Sequence, residues 1–382
     1  MAQWNRVPLI DYIELIGGGT PKTTVPEYWN GNIPWLSVKD FNNDKRYVYS
    51  TEKHISQSGF ENSPTKMLHK DDIIISARGT VGEIAMIPFD MAFTQSCYGI
   101  RASRGIDQPF LYYLLKNCIS QLKRMTHGSV FDTITRDTFA NIEVDIPDAE
   151  TQKRISSVLA DIDNKIEVND AINDNLHQQA ATLFKALFVD LTPFDGTMPP
   201  NWTISTLGDA TEMGAGGDKP KESSPVKTPL CPYPIYSNGI NDYGLYGYTN
   251  DPKIKVESVT VSARGTIGYV CLRHTPYVPI VRLVTLIPDT KVLSAKYLYL
   301  YLRQLHITGT GTTQQQLTVP DFRKTEIIIP DKNTMDSFTE TVTPLFEQIW
   351  ANEDENTKLA EVRDALLPKL MSGEIDVSDI QL

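Results

Sequence analysis

The sequence predicts an α+β chain: two similar globular α/β domains separated by two long helices that form an antiparallel coiled coil, the halves related by an internal pseudo-two-fold. Three observations predict it. A long helical pattern is written twice, over about 148–188 and 331–370, with most apolar positions at a constant offset of 183. The string Ser76-Ala77-Arg78-Gly79-Thr80-Val81-Gly82 returns as Ser262-Ala263-Arg264-Gly265-Thr266-Ile267-Gly268. The opening stretch 4–22 returns as 202–221. Such self-similarity has to be recognised before any single element is assigned.

Each half reads in the same order. Trp4 matches Trp202, Leu9 matches Leu207 and Glu14 matches Glu212. A glycine-rich turn follows, Gly17-Gly18-Gly19 against Gly214-Ala215-Gly216-Gly217, and then Pro21-Lys22 against Pro220-Lys221. Pro34 and Ser37 match Pro234 and Ser237. The repeated SARGT string is preceded by the β-rich runs Ile73-Ile74-Ile75 and Val259-Thr260-Val261. It reads as strand, glycine turn, strand. A short Leu- and Tyr-rich helix is expected over 110–123 and over 295–305. A polar loop, 126–133 or 308–316, leads to a last strand and the long helix. The expected domains are 1–147, 148–197 for the central helix and linker, 198–330, and 331–382 for the C-terminal helix and tail. The Pro- and Gly-rich segment 192–200 marks the boundary between halves.

Both long helices open on Ile-Pro-Asp, at Ile146-Pro147-Asp148 and Ile329-Pro330-Asp331. An Asp N-cap accepts from the orphan N–H groups of the first turn. The expected seam in the first copy is Ile155, Leu159, Ile162, Ile166, Ile172, Leu176, Leu183 and Leu187. In the second it is Phe338, Val342, Leu345, Ile349, Leu359, Val362, Leu366 and Leu370. A narrow seam of this period wants a partner helix, and each copy is the natural partner of the other. Asn169 and Asn173 fall mid-seam, and Asn352 and Asn356 fall there in the second copy. Polar seam residues fix register at some expense of stability. An antiparallel pair sets Asn169 near Asn356 and Asn173 near Asn352. Pro344 is expected to kink the second helix or to begin it afresh behind a Thr343 cap.

Composition narrows the function. The net charge is −11, an unpromising total for a nucleic-acid binder. Its distribution matters more: −3 over 1–150, −3 over 151–197, +3 over 198–333 and −8 over 334–382. The acidic helices are expected to face protein, and nucleic-acid contact has to come from local basic patches. No apolar run reaches the ~18–20 residues of a membrane span. No signal peptide is expected at 1–6, and the four scattered cysteines (Cys97, Cys118, Cys231, Cys271) are expected as reduced, buried thiols of a cytoplasmic protein.

Catalytic motifs are missing. Gly17-Gly18-Gly19-Thr20-Pro21-Lys22-Thr23 lacks the spacing of a phosphate loop. The six histidines (His54, His69, His127, His177, His274, His306) show no metal spacing, and His177 is expected on a solvated helix face. There is no Asn-Pro-Pro-aromatic or Asp-Pro-Pro-aromatic motif, so an amino-methyltransferase loop is absent. Pro147-Asp148 lacks the Glu-x-Lys that nuclease chemistry needs. The chain is expected to be no enzyme and to hold no metal or cofactor.

Two globular halves alternating with two similar long helices resemble the specificity (S) subunit of type I restriction-modification systems. The segment Leu366-Leu367-Pro368-Lys369-Leu370-Met371-Ser372-Gly373-Glu374-Ile375 and the doubled SARGT turn carry the likeness. So does the link Leu187-Phe188 … Pro193-Phe194 … Pro200-Asn201-Trp202-Thr203. The resemblance implies that each globular half is a target-recognition domain reading half of a bipartite site on double-stranded DNA. It implies that the helices set the spacing and dock two methyltransferase subunits, which restriction subunits join. S-adenosylmethionine, ATP and magnesium then belong to those partners. Domains reading different half-sites cannot discriminate with identical residues. The shared Arg78 and Arg264 are therefore expected to be framework or phosphate contacts. Lys22, Lys39, Lys219 and Lys221 are further phosphate candidates. Base readers are expected where the halves differ, at Ser129 and Thr133 against Thr312, Gln314 and Gln315. The rival readings are a protein-only coiled-coil scaffold and an enzyme whose site leaves no motif.

Overall fold

The structure, a computed structural model, describes residues 4–126, 133–309 and 316–378. The chain divides into two compact units, Met1–Ala171 with Asn352–Leu382, and Ile172–Ala351. Each unit takes one globular domain and half of each long helix.

In the first unit, strands Ile13–Gly17, Cys97–Ala102, Ile73–Ser76 and Ile84–Met86 form an antiparallel sheet in that order. A second sheet runs Lys53–Ile55, Trp29–Leu36, Met91–Phe93, Met67–Leu68, with a parallel pairing in the middle. The strands Ile73–Ser76, Ile84–Met86 and Met91–Phe93 are buried along their whole length. That explains their unbroken apolar runs where a one-sided strand would alternate. The helix Gln108–Thr126 lays Phe110, Leu111, Tyr112, Tyr113 and Leu115 into the same core, all fully buried. Strand Asn5–Pro8 pairs with Glu143–Ile146 from Asn5↔Ile146 to Pro8↔Glu143, so the first strand and the last close on each other.

The second unit repeats this plan. Its first sheet runs Thr211–Ala215, Val284–Pro288, Ser258–Val261, Val270–Arg273. Its second runs Ser223–Ser224, Leu245–Thr249, Tyr233–Tyr236, Val278–Pro279, again with one parallel pairing. Helix Ala295–Gln304 fills the core with Tyr297, Leu298 and Leu302. Strand Thr203–Thr206 closes on Glu326–Ile329. The two second sheets differ at their edges. The first domain adds a strand beside Met91–Phe93, the second beside Leu245–Thr249.

The long helices are Ala149–Phe184, extended by a π-helical turn Lys185–Val189, and Lys332–Met371. Asp148 Oδ1 accepts from Glu150 and Thr151 N–H at 3.1 and 2.9 Å. Asp331 Oδ1 accepts from Asn333 and Thr334 N–H at 3.1 and 3.2 Å. These bonds hold the Asp148 carboxyl below the usual carboxylate range, the Thr151 N–H bond most of all. For Asp331 the Thr334 hydroxyl leads.

The helices pair antiparallel within each unit. In the first, Asn169 meets Asn356 while Asp163 meets Arg363, so one chain rises as the other falls. In the second, His177 lies against Phe346 and Phe184 against Phe338. Asn169, 1 % exposed, donates to Glu355 Oε2 and Asn356 Oδ1, both at 2.8 Å. Asn356 Nδ2 donates to Asp170 Oδ1 at 2.9 Å. Asn173 is buried and its amide reaches Ile349 O at 3.4 Å in the second unit. Asn352 is buried in the first unit.

Four expectations need correction. Ile172, Leu183 and Val362 are exposed rather than seam residues. The buried stripe of the first helix instead passes through Asp163, Asn169, Asn173, Ala180, Phe184 and Phe188. Ion pairing and hydrogen bonding keep its polar members inside, so apolarity alone misplaces the seam. His177 is half-buried against the Phe346 ring at 6.0 Å, and that burial pushes its pKa down. Pro344 does not begin the second helix afresh behind a Thr343 cap, the other half of that expectation being a kink; the helix continues through it. The hydroxyls of Thr339, Thr341 and Thr343 bond carbonyls four residues back around the proline. Cys231 is half-buried, unlike the three other, buried thiols.

Candidate nucleic-acid interface

Both SARGT strings form the same turn. Ser76 Oγ donates to Thr80 O at 2.5 Å and accepts from Glu83 N–H at 2.8 Å. Gly82 N–H returns to Ser76 O, and Gly268 N–H to Ser262 O, each at 3.0 Å. Gly79, Gly82, Gly265 and Gly268 all have φ between +70° and +85°, where a side chain would be strained. The turn thrusts Arg78 and Arg264 into solvent.

Other segments are stitched to this turn. In the first domain Ala77 and Arg78 N–H donate to Ser96 O at 2.8 and 3.2 Å. Gly19 N–H reaches Phe93 O at 2.9 Å, and Thr20 Oγ1 bonds Gln95 Oε1. Thr94 N–H donates to Leu36 O at 2.9 Å, which brings the strand end bearing Ser37 and Lys39 to the same place. Ile134 N–H, at the end of the polar loop, donates to Ala77 O at 3.0 Å.

The second domain has the same convergence with different residues. Arg282 N–H donates to Gly216 O at 3.0 Å and Val281 N–H to Gly217 O at 2.9 Å. Asn238 bridges two segments: its Nδ2 donates to Val281 O at 2.6 Å and its Oδ1 accepts from Ala263 N–H at 2.7 Å. Leu317 N–H, again at the loop end, donates to Ala263 O at 3.0 Å. Arg264 Nη2 donates to Gln316 Oε1 at 3.0 Å.

Each domain thus gathers five segments on one face: the glycine-rich turn, a strand end, the turn at 94–96 or 280–283, the SARGT turn, and the end of the polar loop. Lys22, Lys39, Lys219 and Lys221 are all exposed. Lys219 Nζ lies 5.2 Å from the Tyr246 ring centroid, an orienting cation–π contact. Thr133 is half-buried beside Ile134. Ser129, Thr312, Gln314 and Gln315 lie outside the described residues. Sequence reasoning missed Gln95, Ser96, Asn238, Lys253, Val281 and Arg282. Lys253 stands by the glycine turn, its Nζ 3.6 Å from where a Gly217 Cβ would sit. The signal for the turn at 94–96 and 280–283 was available only as divergence, because no residue there is shared.

Such a face can bind a polyanion through backbone N–H groups and mobile cations while a few rigid side chains read what lies between them. Among the described residues no helix is long and apolar enough to cross a membrane. Among them too, no three His, Cys, Asp or Glu side chains are placed to hold a metal ion.

Comparison with known proteins places this geometry. The family model described as type I restriction modification DNA specificity domain matches residues 1–178 and again 199–361. The type I restriction enzyme MjaIX specificity subunit of Methanocaldococcus jannaschii is 27 % identical over 413 residues, covering 99 % of this chain and 94 % of the relative. The HindI specificity subunit of Haemophilus influenzae is 26 % identical, covering 70 % and 77 %. The crystal structure of a type I restriction-modification S subunit from M. genitalium shares the fold, with TM-score 0.57 at 15 % identity over 97 % of this chain and 96 % of that one. With one family model matched twice, over 1–178 and 199–361, the chain belongs to the family of type I restriction-modification DNA specificity subunits.

Proposed function

We propose that each globular domain reads one half of a bipartite site on double-stranded DNA through its five-segment face. The observation that carries this reading is the doubling of one hydrogen-bonded framework with different residues at its centre. A shared framework suits phosphate contacts, which position without specifying; unshared residues suit base contacts. Arg78 and Arg264 are then phosphate or framework residues, joined by Lys22, Lys39, Lys219 and Lys221. The loop residues Ser129, Thr133, Thr312, Gln314 and Gln315 stand among the base readers.

The long helices set the distance between the half-sites, and the Asn169–Asn356 layer is their register mark. Their acidic exterior suits protein partners: two methyltransferase subunits, with restriction subunits joining that core. The chain contributes recognition and assembly. S-adenosylmethionine, ATP and magnesium act on the partner subunits. Methylome sequencing of cells expressing this chain with its methyltransferase partner tests the proposal. A single methylated motif of two short half-sites around an unread spacer is the expected result. A continuous motif, or none, would overturn it.

A further inference from the structure

The turns at 94–96 and 280–283 occupy one place in the two domains. Each follows the strand that pairs parallel with its neighbour in the second sheet, Met91–Phe93 or Val278–Pro279. Each precedes the strand that pairs with the SARGT-bearing strand, Cys97–Ala102 or Val284–Pro288. Each bonds, directly or through Asn238, to both the glycine-rich turn and the SARGT turn. The residues differ completely: Thr94-Gln95-Ser96 against Ile280-Val281-Arg282.

We infer that Arg282 and Gln95 are specificity-determining residues at this matched position, Arg282 reading a guanine in one half-site and Gln95 a purine in the other. The inference rests on the reading of the five-segment face as the DNA surface. Arg282 is exposed, and its guanidinium has no hydrogen bond or ion pair to any described residue. Its backbone is held rigidly all the same. Val281 and Arg282 sit at φ +51° and +64°. Val281 is the one β-branched residue with positive φ among the described residues, a conformation with a real steric penalty. Such strain persists only where the surroundings over-determine it. Here they do so through the bonds to Gly216 and Gly217, the Asn238 amide, and Leu283 N–H to Ile280 O at 3.0 Å. A rigid stem under a free fork is what base readout requires. An Arg fork matches O6 and N7 of guanine, and an amide N–H can donate to the N7 that both purines carry.

Gln95 is likewise exposed at the tip of its turn. The hydroxyls of Thr20 and Thr94 both bond its Oε1, which fixes the orientation of the amide. Its Nε2 is left to donate to N7 of a purine. A phosphate role belongs instead to cations placed alike in both domains, as Arg78 and Arg264 are.

The test uses the full chain with its methyltransferase partner, reading the methylated motif and competition binding to duplexes varied one base pair at a time. Arg282→Gln and Arg282→Lys are each expected to relax one guanine position of one half-site, roughly 5- to 150-fold, with the other half-site unchanged. Lysine keeps the charge and loses the fork. Gln95→Ala is expected to relax one purine position of the other half-site only. Variants that leave both half-sites unchanged, while the wild type reads a bipartite motif, overturn this inference alone. So does an Arg282→Lys chain that binds as wild type while Arg282→Gln weakens all sequences equally, the mark of a phosphate contact. A wild-type complex with no bipartite motif overturns the reading of the face as well.

Discussion

Arg363 Nη1 donates to Asp163 Oδ1 at 2.8 Å, with both side chains 4 % exposed. Tyr113 Oη donates to the other Asp163 oxygen at 2.7 Å, and Asp44 takes a second Arg363 nitrogen at 2.8 Å. At the repeat offset of 183, Asp163 corresponds to Phe346 and Arg363 to Ala180. Those two are buried in one apolar cluster of the second unit. The same helix–helix layer is ionic in one unit and apolar in the other.

Truncating one member of the ionic layer should be costly. Arg363→Ala strands Asp163 in a buried site, and such breaks cost about 3–5 kcal/mol. The double variant Asp163→Phe with Arg363→Ala imitates the second unit and should lose less than the single change. Urea unfolding compares them. A double variant as unstable as the sum of both singles would show that the two layers are not interchangeable.

Asp44 gives the first unit an acid limit. Burial pushes its carboxyl up, but Lys116 at 2.9 Å and Arg363 outweigh that and hold it below the usual range. A depressed folded pKa means the stabilisation is present above the unfolded value, near ~3.9, and is lost as pH falls through the folded one. Unfolding midpoints of wild type and Asp44→Asn should therefore converge as pH drops below about 4. Curves that stay parallel across that window would remove Asp44 from the explanation.

Replacing 1–146 by the equivalent segment of another such subunit should change one half of the methylated motif. The paired strands Asn5–Pro8 and Glu143–Ile146 close the segment on itself, and the graft has a single junction, after Ile146. A change in both half-sites would contradict the modular reading.

Four residues inserted after Ala171 add about one helical turn, roughly 5–6 Å. The unread spacer should lengthen by one or two base pairs while both half-sites stay the same. Four residues nearly restore helical phase, leaving only a local stutter. The motif methylated by the insertion variant decides it: an unchanged spacer at full activity means the helices do not set the distance.

Much of this was legible in the sequence, for identifiable reasons. The Ile-Pro-Asp starts gave both long helices because capping is local chemistry, and the SARGT turn announced itself through glycines forced to positive φ. The seam was less legible. Asp163, Arg363 and His177 look like surface residues, and only their partners across the fold keep them inside. Ile172, Leu183 and Val362 look like core and are exposed. Pro344 misled only as a point of restart, because the sequence does not show that the helix continues past its missing N–H. Within the candidate site the framework was visible as repetition. Gln95 and Arg282 were hidden, since a position that differs in every respect leaves nothing to align.

The bond between Asp163 and Arg363 joins residues 200 positions apart, and this separation has a consequence during synthesis. The first long helix leaves the ribosome well before its partner exists. At about 5–20 residues per second, its Asp163 and the apolar residues near it wait about 10–40 s for Arg363. Through that interval the first globular domain can already be closed by its own strands, while the nascent helix offers an unmated stripe to whatever is nearby. Translation speed across residues 172–351 thus sets how long the unfinished chain is exposed to aggregation or to capture by a chaperone.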